Sequence, residues 1–401
     1  MTLRQVPGGV TAAKGFLAAG LHCGLKKDKK DLALIYSEVP ATAAGVFTKN
    51  RFQAAPVILS RRHLAQQKAQ AIICNSGNAN ACTGEQGLKD AARMAERTAN
   101  LLRLPPEDVL VASTGVIGVY LPMEKIKTGI DRIVGRLSAE GGQDAAEAIC
   151  TTDLVTKMIA YETEIGGKTV TVGGIAKGSG MIHPNMATLL AFITTDCAIS
   201  AGLLQKALRY TVERSYNLIT VDGDTSTNDT VFVLANGKAE NPEIKEENED
   251  YWRFVALLQQ VNTELAQKIV RDGEGATKFL EVTIKNAPTF SDGKKLAMAI
   301  LNSNLVKTAF FGEDANWGRI VMAMGQTDVA FDPGKVDVYL GDLQVTKAGQ
   351  GLVFDEVRAK EILSQQDINI IVDLHLGLEN VTAWGADLSY DYVKINASYR
   401  S

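Results

Sequence analysis

Short apolar runs, rich in β-branched residues and bounded by turn residues, recur along the whole chain. Such runs are typical of strands that are buried in a sheet. They predict strands at Leu32–Ser37, Val57–Leu59, Ala71–Cys74, Thr169–Val172, Leu189–Thr194, Val231–Leu234, Leu280–Ile284, Val336–Leu340, Ile368–Leu374 and Tyr392–Ile395.

Two longer segments between these runs carry apolar residues at helical spacing. Leu88–Arg103 predicts one amphipathic helix, and Trp252–Arg271 predicts a second, with Gly273 placed to end it. The apolar face of the second helix comprises Phe254, Leu257, Leu258, Val261, Leu265 and Ile269. The segment Asn236–Asp250, rich in Glu, Asn and Lys, predicts an exposed connection. Strands and helices mixed throughout predict an α/β protein of layered sheets and helices.

Composition is that of a chain with a sizeable core. At 401 residues, 46% of them hydrophobic, the chain is long enough for two lobes or one large α/β body. Its 42 Lys and Arg against 46 Asp and Glu give a net charge of −4, which provides no electrostatic case for binding nucleic acid. Small polar metabolites are therefore the expected partners.

The chain also lacks the usual sequence signals for a membrane or for secretion. No stretch approaches the roughly 18 consecutive apolar residues of a transmembrane helix, and the segment 1–9 has no apolar signal core. We therefore expect a cytoplasmic protein with no membrane partner. The five cysteines are scattered and form no Cys-x-x-Cys pair, so neither a zinc site nor a disulfide framework is predicted.

The stretch 174–196 carries the most specific chemical signal. A glycine-rich loop with a lone lysine, Lys177, is followed by Ala187 and Thr188 directly before an apolar run. An isolated threonine is usually an ordinary strand residue and a weak nucleophile. If the Ala187–Thr188 bond is cut, however, the new α-amine of Thr188, with an ordinary pKa of roughly 7.7–8.0, serves as the base for its own hydroxyl. This context predicts Thr188 as a nucleophile that first cleaves its own chain.

At these residues the chain resembles a known family, the ornithine acetyltransferases (glutamate N-acetyltransferases) of arginine biosynthesis. The resemblance covers essentially the whole length and is strongest at Lys177–Thr188, Val221–Asp229, Gly312–Arg319 and Ile395–Arg400. It implies the fold that these enzymes share with a group of self-processing aminopeptidases. It also implies cleavage into an α chain, 1–187, and a β chain, 188–401, which stay associated as a heterotetramer of two α and two β chains.

The motif Val111–Gly118 is a candidate for stabilising negative charge during acyl transfer. On its own it is a glycine-containing turn after a β-like run. A threonine hydroxyl beside a glycine N–H nevertheless suits an oxyanion site, which needs donors aimed at the developing negative charge. The family resemblance implies this role for Thr114 and Gly115.

Five further residues are candidate substrate contacts besides Thr188. Lys177 and Glu274 are each surface residues by default, but a cation suits a substrate α-carboxylate and a carboxylate suits the amine of ornithine. The resemblance implies substrate contacts for Thr151, Lys177, Glu274, Asn396 and Ser401. Ser401 stands where the family often has threonine, and both residues keep a hydroxyl.

Two other patterns bear on metal and nucleotide binding. Asp222–Asp229 has closely spaced carboxylates but lacks the glycine and terminal glutamate of a calcium loop, so we predict a structural loop near the active site. Gly178-Ser-Gly180 continues as Met-Ile-His, which matches no nucleotide-binding loop. We expect no metal and no organic cofactor, with acetyl-CoA left open as a co-substrate.

The resulting hypothesis is an acyltransferase. Thr188 takes the acetyl group of N-acetylornithine, ornithine leaves, and glutamate accepts the acetyl group to give N-acetylglutamate. One alternative is a self-processing aminopeptidase or amidase, in which water deacylates Thr188. A second alternative, of another class, is a non-catalytic protein that binds amino acids and never cleaves.

Overall fold

In a computed structural model of the chain, residues 2–183 and 189–398 are described, and they form sixteen strands and eleven α-helices. The strands are β1 (Arg4–Gln5), β2 (Phe16–Leu21), β3 (Leu32–Phe47), β4 (Lys68–Asn78), β5 (Val109–Val116), β6 (Lys157–Ile165), β7 (Lys168–Lys177), β8 (Leu190–Thr195), β9 (Ile219–Thr220), β10 (Thr230–Ala235), β11 (Phe279–Ala287), β12 (Asp337–Leu340), β13 (Leu343–Lys347), β14 (Gln350–Gly351), β15 (Asp367–Asp373) and β16 (Glu379–Ala386).

The helices lie between these strands. They are α1 (Ala55–His63), α2 (Gly84–Leu102), α3 (Met123–Ile133), α4 (Gly142–Ile149), α5 (Ala201–Glu213), α6 (Glu249–Arg271), α7 (Phe290–Asn302), α8 (Asn304–Phe311), α9 (Trp317–Gly325), α10 (Glu356–Leu363) and α11 (Tyr390–Ala397). No helix within the described residues is long and apolar enough to cross a bilayer.

The described residues divide into two compact units, each built from separate parts of the chain. The first unit comprises residues 2–178, 189–217 and 225–269, and the second comprises 179–183, 218–224 and 270–398. Neither unit follows the predicted division into 1–187 and 188–401. That boundary lies outside the described residues, so the division into two chains stays a prediction.

The first unit contains a nine-stranded mixed sheet in the order β1-β6-β7-β8-β10-β3-β4-β5, with β2 paired to β3. Successive side chains of a strand point to opposite faces, and β4 shows the consequence. Ile72 and Cys74 join a core with α4, whereas Ala71 and Ile73 join a core with α2 and α3. Helices therefore cover both faces of this sheet, which confirms the layered α/β class.

The second unit contains a seven-stranded sheet in the order β14-β13-β12-β15-β11-β16-β9. Leu280, Val282 and Ile284 alternate along β11 and are fully buried, and α7 packs on β11 and β16. The intervening residues of β11 carry polar pairs, such as the indole N–H of Trp384 donating to Glu281 at 2.9 Å. This alternation is typical of a sheet with one apolar and one more polar face.

Eight of the ten predicted strands coincide with observed strands, and both predicted helices are confirmed as α2 and α6. Two strand predictions are wrong. Val57–Leu59 lies in α1, where Pro56 occupies the first turn, a position that suits proline because no helical N–H is lost there. Tyr392–Ile395 lies in α11, whose first turn is capped by the Ser389 hydroxyl accepting from the Tyr392 N–H.

A buried lysine ties together two strand ends of the second unit. Lys307, on α8, donates from Nζ to the carbonyl of Val221 at 2.7 Å and also to the carbonyl of Ala386. Burial lowers the pKa of Lys307 from 10.5 to about 8. Between these pH values the unfolded chain holds a proton that the native protein has released, so the free energy of unfolding should rise with pH across this window.

We predict that Lys307→Met removes this rise. Below pH 8, Lys307 is protonated in both the native and the unfolded state, so the free-energy cost of burying its charge is fully present. As the pH rises, native Lys307 loses its proton and this cost disappears. The free energy of unfolding of the wild type, relative to the variant, should increase by about 3 kcal/mol across the window. Urea unfolding of both proteins from pH 8 to pH 10 measures this, and parallel pH dependences would contradict the prediction.

Candidate active site

The predicted scissile bond lies outside the described residues, as do both of its residues, Ala187 and Thr188, and the substrate candidate Ser401. The strands on either side of this segment are described. Lys177 ends β7 and pairs with Leu190, the first residue of β8, in an antiparallel register. The remaining candidates can therefore be located relative to the end of β7.

Thr114 and Gly115 lie near the end of strand β5, so the motif predicted as a turn is still extended there. Gly115 pairs with Gly77 of the parallel neighbour β4 and has φ +135°, a conformation that side chains rarely adopt. A Cβ at this position would also overlap the backbone of Gly77 and Asn78. Glycine is therefore required here by both conformation and space.

Lys177 contacts two of the threonines that were predicted as site residues, Thr151 and Thr114. Its Nζ donates to the Thr151 hydroxyl oxygen at 2.7 Å and, through a long hydrogen bond, to that of Thr114 at 3.4 Å. An ammonium group has three N–H donors and cannot accept, so each threonine oxygen must be the acceptor. The Thr114 hydroxyl proton is then left to be donated elsewhere, as an oxyanion site requires.

The contact between Lys177 and Thr114 is not implied by strand order. Four strands lie between β7 and β5 in the sheet. In a flat sheet, with neighbouring strands about 4.8 Å apart, β7 and β5 would be separated by roughly 24 Å. The sheet must therefore curve for the Lys177 side chain to reach Thr114. We call Thr114, Thr151 and Lys177 the lysine–threonine cluster.

Asp153 supports the lysine–threonine cluster and was not singled out from the sequence. Its carboxylate accepts from the buried Lys157 ammonium at 2.6 Å, from the Gly178 N–H at 2.8 Å and from the Thr151 N–H at 2.8 Å. Burial alone would raise the pKa of Asp153, but the charges of Lys177 and Lys157 hold that pKa well below its usual range. The only signal in the sequence was its place two residues after Thr151.

A second lysine holds the other side of Thr151. Lys26 Nζ donates to the carbonyl of Cys150, the residue before Thr151, and to the carbonyl of Lys30 at 2.8 Å. Burial lowers the pKa of Lys26. This contact was also not predicted, because the run of lysines around residue 26 looks like exposed surface in the sequence.

Asn228 fixes the backbone next to Thr114. Its side-chain amide donates to the carbonyls of Ala79 at 2.6 Å and Ser113 at 2.8 Å. Asp229, the next residue, is fully buried, and burial raises its pKa well above the ordinary value despite the nearby charge of Lys177. Burial thus favours the uncharged form of the Asp229 carboxyl.

The start of the same loop supports its prediction as a structural loop. The Asp222 carboxylate accepts from the backbone N–H groups of Met181 at 2.6 Å and Ile182 at 2.8 Å, both in the second unit. No group of three or more metal-ligating side chains occurs among the residues that the structure describes. The acidic residue at the start of this loop thus binds backbone amides.

The second unit brings two other predicted substrate residues together. The Asn396 side-chain amide donates to the Glu274 carboxylate at 2.9 Å. The Glu274 N–H donates to the Ser179 carbonyl at 2.8 Å, and a Cβ on Gly180 would overlap the Glu274 carboxylate. We call Glu274 and Asn396 the glutamate–asparagine pair. It is helix α11, and not the predicted strand, that presents Asn396.

Comparisons with known proteins identify the family of the chain. The model of the ArgJ family matches residues 17–401. The arginine biosynthesis bifunctional protein ArgJ of Symbiobacterium thermophilum is 56% identical over 402 residues, covering 100% of both chains. Its counterpart in Listeria monocytogenes is 50% identical over 400 residues, again covering 100% of both. The ornithine acetyltransferase of Mycobacterium tuberculosis, solved in complex with ornithine, is 42% identical and covers 46% of this chain and 100% of its own, with a TM-score of 0.44.

Two glycines of β5 and the following loop provide a matched test of the geometry at Gly115. Gly118 also has a positive φ, +82°, but a Cβ there would have no atom within 4 Å. Gly118→Ala should therefore cost only the conformational penalty, about 1 kcal/mol. Gly115→Ala adds overlap with the Gly77 backbone and should cost on the order of 3 kcal/mol or more. Chemical unfolding of the two variants measures the difference, and equal losses would rule out the close packing.

Proposed function

The chain belongs to the ArgJ family, and from this premise we propose how its residues carry out acetyl transfer. The enzyme is an arginine biosynthesis acyltransferase that moves the acetyl group from N-acetylornithine to glutamate, giving ornithine and N-acetylglutamate. The relatives are named bifunctional, which supports acetyl-CoA as a second acetyl donor. The protein acts in the cytoplasm, as a heterotetramer of α and β chains.

The first proposed step is self-cleavage. The Thr188 hydroxyl attacks the Ala187 carbonyl, the peptide C–N bond breaks, and the freed amine takes a proton. Water then hydrolyses the resulting ester, which releases chain 1–187 with a terminal carboxylate and restores the hydroxyl. Thr188 gains an α-amine with an ordinary pKa near 8, which suits a general base at neutral pH.

Acetyl transfer then uses the same hydroxyl twice. Thr188 attacks the acetyl carbonyl of N-acetylornithine while its α-amine accepts the hydroxyl proton, and ornithine leaves after receiving that proton. The amine of glutamate next attacks the acetyl ester and gives up a proton to the Thr188 α-amine. The ester C–O bond breaks, the Thr188 oxygen takes that proton back, and N-acetylglutamate leaves. Every group needed is a hydroxyl, an amine or a hydrogen-bond donor, so the proposed reaction requires no metal and no organic cofactor.

The observation that carries this proposal is the direction of hydrogen bonding in the lysine–threonine cluster. Because Lys177 can only donate, the Thr114 hydroxyl is oriented to donate its own proton to a tetrahedral oxyanion, beside the Gly115 N–H. Two of the three Lys177 N–H groups point at threonines, and we assign the third to a substrate carboxylate. This is the direction of bonding that acyl transfer needs.

Charge supports the assignment of substrate contacts. The described side chains that are hydrogen-bonded to Thr151 or to Asp153 include two ammoniums, those of Lys177 and Lys157, which face the one carboxylate of Asp153. The excess positive charge favours the α-carboxylate that N-acetylornithine and glutamate both carry. In the second unit, Glu274 supplies a carboxylate for the amine of ornithine, and Asn396 holds that carboxylate. We propose Ser401 as the remaining contact.

Self-cleavage is tested by Thr188→Ala. The wild type should separate on a denaturing gel into chains 1–187 and 188–401, the second beginning Thr-Leu-Leu. Thr188→Ala should stay a single chain, because no hydroxyl can attack, and its transfer activity should fall at least about 10³-fold. Thr188→Ser keeps a hydroxyl and should still cleave. Two chains from purified Thr188→Ala would show that another group cleaves the bond.

The acetyl-enzyme is tested with one substrate at a time, because a single hydroxyl that serves donor and acceptor in turn requires ping-pong kinetics. N-Acetylornithine alone should add one acetyl group to the chain 188–401, on its first residue by mass spectrometry. Adding glutamate should remove this acetyl group as N-acetylglutamate. With both substrates present, double-reciprocal plots of the initial rates should give parallel lines. Release of acetate in place of N-acetylglutamate would identify a hydrolase, and an unmodified single chain would identify a binding protein.

A further inference from the structure

The carboxylate of Asp153 is shared by two loops that carry proposed site residues. One oxygen, Oδ2, accepts from the N–H of Thr151, in the loop between α4 and β6. The other oxygen, Oδ1, accepts from the N–H of Gly178, directly after the end of β7, and from Lys157. A single side chain therefore fixes the backbone at Thr151 and the backbone that follows Lys177.

Sheet pairing explains why these two loops are close together. Lys157 is the first residue of β6 and pairs with Ala176, one residue before Lys177 in β7. The start of β6 and the end of β7 are therefore neighbours, and Asp153 lies just before this start in the chain. Its carboxylate bridges the gap between the two chain segments that leave the sheet here.

The Asp153–Lys157 ion pair has no exposed side-chain area. Burying two opposite charges costs desolvation free energy that their attraction only partly offsets, and well-packed apolar residues of similar volume are often as stabilising. Stability alone is thus a weak reason for this pair. Three groups donate to the Asp153 carboxylate, and two of them are backbone N–H groups. These hydrogen bonds instead specify the positions of the two loops.

The loops fixed in this way hold the Lys177–Thr151 hydrogen bond between them. Lys177 immediately precedes Gly178, and its ammonium donates to the Thr151 hydroxyl at 2.7 Å and to that of Thr114 at 3.4 Å. Movement of either loop would change where the Lys177 ammonium lies. The Thr114 hydroxyl would then lose the donor that orients it.

We propose that Asp153 is a positioning residue for acetyl transfer, which it serves by placing Lys177 and Thr151 so that Thr114 is oriented toward the oxyanion. The inference rests on the proposed function of the lysine–threonine cluster. Asp153 does not touch the substrate in this account. It acts through the two backbone N–H groups and through the hydrogen bond from Lys177 to Thr151.

Two substitutions distinguish a positioning role of Asp153 from a role of its negative charge alone. In Asp153→Asn, the three groups facing the side chain are all donors, so the new NH₂ opposes a donor in either orientation. In Asp153→Glu, the charge is kept but the oxygens are displaced by one methylene. Positioning predicts that both variants lower kcat/KM by roughly 10²-fold, the scale for a misplacement of about 1 Å, because the displaced Lys177 both orients Thr114 and contacts the substrate carboxylate. A role of charge alone predicts a normal Asp153→Glu and a lower KM in Asp153→Asn, since removing the negative charge strengthens attraction for carboxylates.

The control for stability is Lys307→Met, which alters a buried lysine of the second unit outside the proposed site. It should change thermal stability yet keep kcat/KM within about 2-fold of the wild type. Cleavage into two chains is checked for every variant on the same preparation. If Asp153→Asn does not accumulate as folded protein, Asp153→Glu alone still decides between position and charge.

Action through Thr151 is tested by a double-mutant cycle with Thr151→Val. If Asp153 acts through the Lys177–Thr151 hydrogen bond, Asp153→Glu should lower kcat/KM much less in the Thr151→Val background than in the wild type, by less than about 10-fold. If the loss of kcat/KM in the double variant equals the product of the losses in the two single variants, the inference is overturned. An unchanged kcat/KM in Asp153→Glu would also overturn it. Absence of transfer by the wild type would instead overturn the proposed function.

Discussion

The ammonium of Lys177 imposes the constraint on which the first unit depends. Lys177 is only 8% exposed, so its ammonium needs acceptors and a compensating charge within the protein. Thr151 and Thr114 supply the acceptors, and Asp153 supplies the charge. Meeting these needs requires the curvature of the nine-stranded sheet, because β7 and β5 would otherwise be far apart.

The same constraint accounts for the chemistry. A buried ammonium that can only donate determines that two threonine hydroxyls accept from it and keep their own protons to donate elsewhere. The second unit has the opposite character at the glutamate–asparagine pair, where a carboxylate is held by an amide.

Much of the candidate site could be predicted because the resemblance to the family assigns roles to residues in recognisable motifs of the sequence. Thr114, Thr151, Lys177, Glu274 and Asn396 were all named, and the structure brings the first three together in one unit and the last two together in the other. Asp153, Lys26 and Asn228 were missed as supporting residues. Each acts by binding backbone groups distant in the chain or in a neighbouring loop, and such partners leave no local pattern.

The sequence by itself determined the α/β class, most strands, the two long amphipathic helices and the chemical types at the site, because periodicity and motif are local properties. It misassigned Val57–Leu59 and Tyr392–Ile395, where Pro56 and the Ser389 cap favour helix over the short apolar run. Only the tertiary structure decided that the Lys177 side chain, at the end of β7, contacts Thr114 of β5 and that Asp153 is buried between two loops. These features depend on sheet curvature and on desolvation, which arise when distant segments pack together and are not encoded in any one segment.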